Sequence, residues 1–234
     1  MIDSHAHLGS LPVKGNFKGS FKDYKRIAKI ADIKKYCLVP IGLPNNFTDK
    51  TTPNNEEVLQ EAKKNKAIIP IYWFNVFDLP EKINKSYKAI KFHPDIGEVA
   101  IDDERVINFV NKIKLPVFVH TNEGKEYSTL ERVINLSKKV EVPVIAIHSG
   151  SITRTLFKLP GYNFPDNVYF ETSGIQYAAI LKEIYQKVGA KRILLGSDYP
   201  FGDVRVSLAL IKSLDASKSE ENMMTYKNLE GILK

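Results

Sequence analysis

The chain has 234 residues, 43% of them hydrophobic, and a net charge of +7. This length allows a large buried core, and an α/β barrel of this size is usually one domain, so we expect residues 1–234 to form a single domain. No apolar run approaches the roughly 18 residues of a membrane-spanning helix, and the His-Ala-His sequence at residues 5–7 leaves no room for a signal peptide. We therefore expect a soluble, cytoplasmic protein without membrane contacts.

The positive charge comes mostly from lysines scattered over predicted helices, such as 21–31 and 56–66. Nucleic-acid binding would favour a clustered stripe with interleaved aromatic or arginine side chains, so we expect no nucleic-acid partner. The charge fits better with attraction of a small anionic substrate. The single cysteine, Cys37, cannot form an intramolecular disulfide, and its apolar neighbours predict a packing role in a buried strand.

Short β-branched runs alternate with helical segments along the whole chain, which favours parallel strands joined by crossover helices. Eight runs are predicted as strands, at 1–4, 36–40, 67–74, 89–92, 117–119, 144–147, 168–170 and 193–195. The spacing of apolar positions predicts helices at 102–112, 129–138, 177–188 and 204–214, a short one at 153–158, and a last one over about 219–234.

This order predicts an α/β fold, a single-domain (β/α)8 TIM barrel with a C-terminal helix. At about 29 residues per unit, the barrel is somewhat compact. A Rossmann-like sheet is the alternative, but no Gly-x-Gly-x-x-Gly sequence follows any predicted strand.

The five histidines can all be placed at the C-terminal ends of predicted strands, where the catalytic groups of such a barrel lie. His5 and His7 are two apart on the first strand, so both can offer imidazole nitrogens to one cation. The fourth, fifth and sixth strands each lead into a histidine and the eighth into an aspartate, namely His93, His120, His148 and Asp198. Because buried imidazoles need polar partners, this convergence predicts a metal site.

The His-Ala-His sequence at residues 5–7, His120, His148 and the Gly-Ser-Asp-Tyr-Pro-Phe-Gly segment at 196–202 resemble the amidohydrolase superfamily. Within it, the chain most resembles the amidohydrolase-2 branch, which contains the aminocarboxymuconate-semialdehyde decarboxylase-like enzymes and related metal-dependent hydrolases. The tail at 219–233 is similar to the closing helix of that branch.

The resemblance implies that His5, His7, His120 and Asp198 bind one divalent metal ion, with Zn²⁺ as the expected metal, and that His148 stands beside the metal-bound water. Three imidazoles and a carboxylate can hold Zn²⁺ while a further position stays open for water, whose pKa the cation lowers toward about 7. His148 is then the expected catalytic base, and Asp198 is a candidate to share that role.

Lys91 and His93 are two apart on the fourth strand and face the same side. In some superfamily members a lysine on this strand is carboxylated and bridges two metals, but we favour one metal. Lys91 is then an unmodified substrate-binding residue and His93 a substrate contact, with a structural role for His93 as the alternative. Arg154 is a candidate to clamp a substrate carboxylate, with a surface position as its alternative. Glu171 is predicted to make a structural hydrogen bond.

These residues predict a metal-dependent hydrolase that uses a zinc-activated water to open an amide, ester or lactone of a small anionic substrate, expected to be a carboxylate. A metal-dependent, non-oxidative decarboxylase of an unsaturated or aromatic carboxylic acid is the close alternative, because the ligand set does not separate the two. A TatD-type deoxyribonuclease would have a glutamate on the fourth strand where this chain has Lys91, and a non-catalytic barrel would have lost ligands. Relatives are often dimers, which leaves a homodimer open.

Overall fold

A computed structural model describes residues 1–11, 17–41, 54–150 and 161–234. These residues form one sheet of nine strands, eight of which run parallel. The strands are β1 (Ile2–Leu11), β2 (Phe17–Gly19), β3 (Lys35–Pro40), β4 (Ile68–Trp73), β5 (Ala89–Phe92), β6 (Val117–His120), β7 (Val144–Ile147), β8 (Val168–Glu171) and β9 (Ile193–Leu194). Each predicted strand lies on one of the parallel strands, and the predicted (β/α)8 barrel is confirmed.

Six of the described helices lie between strands and pack against the outside of the sheet, and three more follow the last strand. They are α1 (Phe21–Ile30), α2 (Asn55–Lys64), α3 (Pro94–Gly97), α4 (Glu104–Ile113), α5 (Leu130–Ser137), α6 (Ala178–Val188), α7 (Val204–Lys212), α8 (Lys218–Asn222) and α9 (Asn228–Ile232). Asp103, Thr129 and Asp203 cap α4, α5 and α7 by accepting hydrogen bonds from backbone N–H groups. The predicted helix at 153–158 lies outside the described residues. In the described part of the chain, no helix is long and apolar enough to span a membrane.

The barrel closes where the last parallel strand meets the first. The sheet runs in the order β2-β1-β3-β4-β5-β6-β7-β8-β9. Beyond β9 the chain returns to β1, where Ser4 N–H donates to Leu195 O at 2.8 Å and His7 N–H donates to Tyr199 O at 2.7 Å. This closure carries the 196–202 segment to the histidines of β1.

Alternate strand residues fill the inside of the barrel. One apolar cluster contains Ile2, Cys37, Val39, Ile71, Ala89, Phe118, Ile145, Ile147 and Leu194, whereas residues of the opposite strand faces pack in a larger cluster with the helices. Because strand side chains alternate, the residues two positions after Ile71, Ala89 and Phe118 point the same way as these apolar side chains. Those residues are Trp73, Lys91 and His120, so the interior leads directly into the polar mouth.

The C-terminal segment closes the other end of the interior. A capping box of Ser217 and Glu220 starts α8, and a π-helical turn at Met223–Lys227 joins α8 to α9. Leu229 and Ile232 of α9 pack in the interior cluster. The predicted C-terminal helix is therefore confirmed, although its hydrogen-bond pattern changes twice along its length.

The structure departs from the predicted elements at the first and sixth parallel strands. β1 includes His5 and His7, as predicted, but it continues to Leu11, well beyond the predicted run at 1–4, and its end pairs with the unpredicted antiparallel β2. Polar residues along this extension hide the strand pattern. His148 begins a 3₁₀ turn after β7 rather than ending the strand, and its φ of 64° lies in the left-handed region.

Candidate metal centre and active site

The mouth of the barrel brings together most of the residues that the sequence singled out. His5 and His7 come from β1, Lys91 from β5, His120 from β6, and His148 and Asp198 from the turns after β7 and β9. The side chains of His5, His7, Lys91 and His148 are at least nine-tenths buried. Arg154 lies outside the described residues, so its predicted substrate contact stays a prediction.

The Nε2 atoms of His5 and His7 both lie near one oxygen of Asp198. Asp198 Oδ1 lies 3.1 Å from His7 Nε2 and 3.7 Å from His5 Nε2. The Lys91 ammonium sits among them, with Nζ 2.9 Å from His5 Nε2 and 3.4 Å from His7 Nε2. A positive charge therefore already occupies the place where the three side chains would hold a cation.

The other nitrogen of each β1 histidine faces a protein oxygen. His7 Nδ1 lies 3.3 Å from the Pro40 carbonyl oxygen, and His5 Nδ1 lies 3.8 Å from Glu171 Oε2. Metal-binding histidines commonly have a carbonyl or carboxylate behind the ring, which leaves the remaining nitrogen to the metal. The Nε2 atom of His7 is directed in this way toward Asp198, whereas His5 Nδ1 is buried and has no hydrogen-bond partner among the described residues.

Burial and charge set the ionisation of this group. Burial, followed by the Lys91 charge, lowers the pKa of His7 and holds the pKa of His5 well below its usual value. Burial lowers the pKa of Lys91 to about 8. For Asp198, burial opposes ionisation, but His148 and His7 outweigh it and the pKa lies below its ordinary value. Neutral imidazoles beside a carboxylate are the form in which these residues bind metal.

This donor set fits a divalent cation such as zinc. Among the described residues, two groups of three could each hold a metal ion, with donor atoms no more than 4.8 Å apart: His5, His148 and Asp198 form one, and His93, Asp95 and His120 the other. Imidazoles combined with one carboxylate suit zinc and neighbouring first-row metals. The structure thus places His148 beside His5 and Asp198, and His120 with the second group. His7 is in neither group, although its Nε2 lies 3.1 Å from Asp198 Oδ1. The assignment of His120 to the first ion stays a prediction.

His93 and His120 stack face to face next to Trp73. The ring centroids of His93 and His120 are 3.9 Å apart, and those of His93 and Trp73 are 5.9 Å apart. His120 Nε2 lies 3.6 Å from Asp95 Oδ2. Burial holds the pKa of both imidazoles well below the ordinary value, so both are neutral at physiological pH.

His148 contacts the fully buried carboxyl group of Glu171 and the side chain of Ser173. Glu171 accepts hydrogen bonds from the backbone N–H of His148 at 3.1 Å and from the backbone N–H of Ser173 at 2.7 Å. Burial raises the pKa of Glu171 to about 8 and lowers that of His148 to about 4. The predicted structural hydrogen bond of Glu171 is present, but Ser173 was not singled out, because serine after a strand carries no distinctive pattern.

Asp3 ties the loop that carries Asp198 to β1. Its Oδ1 accepts from Ser197 N–H at 3.0 Å and from His5 N–H at 3.1 Å, and its Oδ2 accepts from the Tyr24 hydroxyl at 2.6 Å. Burial raises the pKa of this carboxyl to about 6. Asp3 was not predicted as part of the site, although a charged residue within an otherwise buried strand was an available signal.

Comparisons with known proteins agree with this architecture. The family model described as Amidohydrolase, of the amidohydrolase-2 family, matches residues 81–231. No curated protein matches the chain. Among solved structures, 2,6-dihydroxybenzoate decarboxylase from Rhizobium is similar with a TM-score of 0.73 at 13% identity, over 99% of this chain and 98% of that one.

Two further structures share the fold over almost their whole length. A Pseudomonas putida protein assigned as a 2-pyrone-4,6-dicarboxylic acid hydrolase has a TM-score of 0.72 at 13% identity, over 99% of this chain and 96% of that one. Dihydroxybenzoic acid decarboxylase from Polaromonas sp. JS666, solved with bound manganese and the inhibitor 2-nitroresorcinol, has a TM-score of 0.73 at 14% identity, with the same coverage. Because the family model covers more than half of the chain, the protein belongs to the amidohydrolase-2 family of metal-dependent hydrolases and decarboxylases.

Proposed function

We propose that this protein is a metal-dependent hydrolase that opens an amide, ester or lactone of a small carboxylate substrate. One observation carries the proposal. The Nε2 atoms of His5 and His7 both lie within 3.7 Å of Asp198 Oδ1, and the Nδ1 atom of His7 contacts the Pro40 carbonyl oxygen. This is the orientation of histidines that hold a metal ion. We propose Zn²⁺ as the native ion, with manganese, which the Polaromonas enzyme binds, as the alternative.

A divalent cation bound there would polarise a substrate carbonyl and lower the pKa of water. His148 would take the proton from the attacking water, because its donor atom lies within 4.8 Å of those of His5 and Asp198. Burial lowers the pKa of His148 to about 4, so the imidazole is neutral near pH 7 and has a lone pair available. Asp198, held ionised by its histidine neighbours, would anchor the cation and accept a hydrogen bond from substrate or water.

Lys91 must change place or charge when a cation binds, because its ammonium lies 2.9 Å from His5 Nε2. We propose an unmodified Lys91 that swings aside and binds the substrate carboxylate. The Trp73 ring, 4.8 Å from Nζ, offers the ammonium a second favourable contact by a cation–π interaction. A carboxylated Lys91 that bridges two ions is the alternative and predicts twice the metal content.

Decarboxylation of an unsaturated or aromatic carboxylic acid is the second candidate. Two of the similar structures are decarboxylases of dihydroxybenzoates by name, and the same residues could hold such an acid. Four expectations from the sequence stay predictions. They are the single-domain organisation of residues 1–234, the cytoplasmic location, the absence of a nucleic-acid partner and the homodimer.

The test begins with metal content, measured by inductively coupled plasma mass spectrometry on protein purified without added metal. Wild type is compared with a His5→Ala/His7→Ala variant and with a Lys112→Ala/Lys138→Ala control, whose two lysines are exposed on the outer layer. We expect about one zinc ion per chain in wild type and control, and loss of this ion in the histidine variant. A wild type that takes up no metal contradicts the proposal.

The reaction is then identified with panels of lactones, amides, esters and unsaturated or aromatic carboxylic acids. Hydrolysis adds one water to the product mass, whereas decarboxylation releases CO₂ from a carboxyl-labelled substrate. Water addition that disappears in the histidine variant supports the hydrolase. Label release without water addition favours the decarboxylase.

A further inference from the structure

The turn that carries His148 has a strained backbone. His148, Ser149 and Gly150 have φ values of 64°, 50° and 77°, so three successive residues lie in the left-handed region. This region is unfavourable for residues other than glycine, because Cβ comes too close to the following carbonyl oxygen. Two of the three residues carry a Cβ. Such a backbone persists only where the surrounding structure holds it, and it is concentrated at functional sites.

Hydrogen bonds from the two neighbouring strands hold this turn. The backbone N–H of His148 donates to Glu171 Oε2 at 3.1 Å, and the Ser149 hydroxyl donates to the Glu171 carbonyl oxygen at 2.8 Å. From the segment after β6, the backbone N–H of Glu123 donates to the Gly150 carbonyl oxygen at 3.2 Å. Both β8 and the segment after β6 therefore fix the turn.

The Thr121 hydroxyl joins the two ends of the same turn. It donates to the carbonyl oxygen of Ile147, immediately before the turn, and accepts from the backbone N–H of Gly150 at 2.7 Å. Both directions are certain, because a carbonyl oxygen can only accept and a backbone N–H can only donate. Thr121 is fully buried, so solvent does not compete for these two hydrogen bonds.

Thr121 also follows His120 directly in the chain. Its hydroxyl therefore links the end of β6, which carries His120, to the turn that carries His148. The ring centroids of these two histidines lie 4.9 Å apart. Because a misplacement of about 1 Å can cost an enzyme two orders of magnitude in rate, this spacing matters for a base that acts beside a metal-bound substrate.

We propose that Thr121 is a positioning residue, whose hydroxyl holds residues 148–150 in the left-handed conformation and so fixes the place of His148 relative to His120. Without the hydroxyl, the Ile147 carbonyl oxygen and the Gly150 N–H lose these hydrogen bonds, and the turn should relax toward a more favourable backbone conformation. The catalytic consequence rests on the proposed function, in which His148 is the base. The placement of His148 can be measured without a substrate.

Four variants separate the hydroxyl from the rest of the side chain. Thr121→Val has nearly the same shape and no hydroxyl, and Thr121→Ala is a second hydroxyl-free variant that cannot crowd the site. Thr121→Ser keeps the hydroxyl and should restore the wild-type arrangement. Thr225→Val is the matched control, because Thr225 is buried in the C-terminal segment, at the other end of the barrel, and its hydroxyl donates to the Glu221 carbonyl oxygen at 2.7 Å.

Two NMR measurements on metal-free protein report the position of the turn. The amide of Gly150 should exchange its hydrogen at least about tenfold faster in Thr121→Val than in wild type, relative to the amides of α4. The ring signals of His148 should also shift, because the rings of His5 and His120 lie 5.6 and 4.9 Å away and their ring currents depend on its position. Thr121→Ala should give the same changes, whereas Thr121→Ser and Thr225→Val should resemble wild type.

With an active substrate, Thr121→Val should lower kcat at least about tenfold and change KM little. Thr121→Ser should recover most of this loss, and Thr225→Val should keep the wild-type kcat. Unchanged Gly150 exchange with unchanged His148 signals in Thr121→Val overturns the proposal, as does a loss of kcat that Thr121→Ser does not restore. A displaced His148 in a variant with the wild-type kcat instead contradicts the proposed role of His148 as the base.

Discussion

Replacing Gly196 with alanine should destabilise the protein through a single steric contact. A Cβ at this position would lie 1.8 Å from Glu171 Oε1 and 2.5 Å from Cδ of the same side chain. Ordinary contacts begin at 3.4 Å, so the carboxyl group would have to move by about 1.6 Å. Gly196 is not among the glycines with positive φ, so the expected loss comes from crowding and not from backbone strain.

The expected loss in the free energy of unfolding depends on the hydrogen bonds that the Glu171 carboxyl group accepts. Glu171 is fully buried and accepts three hydrogen bonds from Ser173 and His148, with lengths of 2.6, 2.7 and 3.1 Å. Overpacking costs about 1–3 kcal/mol, and each buried hydrogen bond that breaks costs a further 1–3 kcal/mol or so. With one or two bonds lost, the free energy of unfolding should fall by about 4 kcal/mol, which lowers Tm by about 8–16 °C in a chain of this size.

Urea and thermal unfolding measure this loss, with Gly231→Ala as the matched control. A Cβ at Gly231 meets nothing within 4 Å, and this helical position should gain up to about 1 kcal/mol. In a Glu171→Ala background, Gly196→Ala should cost less than about 1 kcal/mol, because its steric partner is gone. Crowding of Glu171 is refuted as the cause if Gly196→Ala is as stable as wild type, or if the substitution costs the same free energy of unfolding in both backgrounds.

Three further substitutions test the Lys91 ammonium and the buried hydrogen bonds of Asn55 and Tyr24. Lys91→Met removes the ammonium 2.9 Å from His5 Nε2 and should tighten metal binding at least about tenfold in calorimetry, whereas loss of metal would indicate a carboxylated lysine. Asn55→Ala leaves the N–H and C=O of Trp73 without their bonds of 2.7 and 2.9 Å, so the free energy of unfolding should fall by about 2–4 kcal/mol. Tyr24→Phe removes the 2.6 Å bond to buried Asp3 and should cost about 1–3 kcal/mol.

Exposed residues provide controls for the two stability predictions. Asn84 accepts a hydrogen bond from Ser86 N–H at the surface, and Tyr177 is 51% exposed. Asn84→Ala and Tyr177→Phe should each change the free energy of unfolding by less than about 1 kcal/mol. If a buried variant and its exposed control lose the same stability, the assigned hydrogen bond is not the cause.

The positions of the parallel strands could be predicted because their signal is local. Runs such as 117–119 and 144–147 are apolar and bounded by turns or helical segments, so each segment indicates its own conformation. The barrel and the placement of His120 at a strand end follow from these runs in order. β2 and the extension of β1 were missed, because pairing with a neighbouring strand stabilises them rather than a pattern of their own.

The family and the residue types of the site were also determined by the sequence. The His-Ala-His pair places two imidazoles on one face of a strand, and the Gly-Ser-Asp segment supplies a carboxylate at the end of the barrel. Spacing does not reveal which of these groups meet. Ser173 carries no signal by itself, because its importance comes from its contact with His148. Asp3 is recognisable as a charged residue in a buried strand, but the sequence does not show that it contacts the backbone of Ser197.

Only the tertiary structure decided which of these side chains lie close together. Closure of the barrel brings Asp198 next to His7 across 191 positions of sequence and places the Lys91 ammonium at the point where a cation would bind. It also brings His120 to Asp95 and His93. Residue type and strand direction are local properties that a sequence displays directly. Distances between side chains on different strands depend on the register and curvature of the closed sheet, which no single segment encodes.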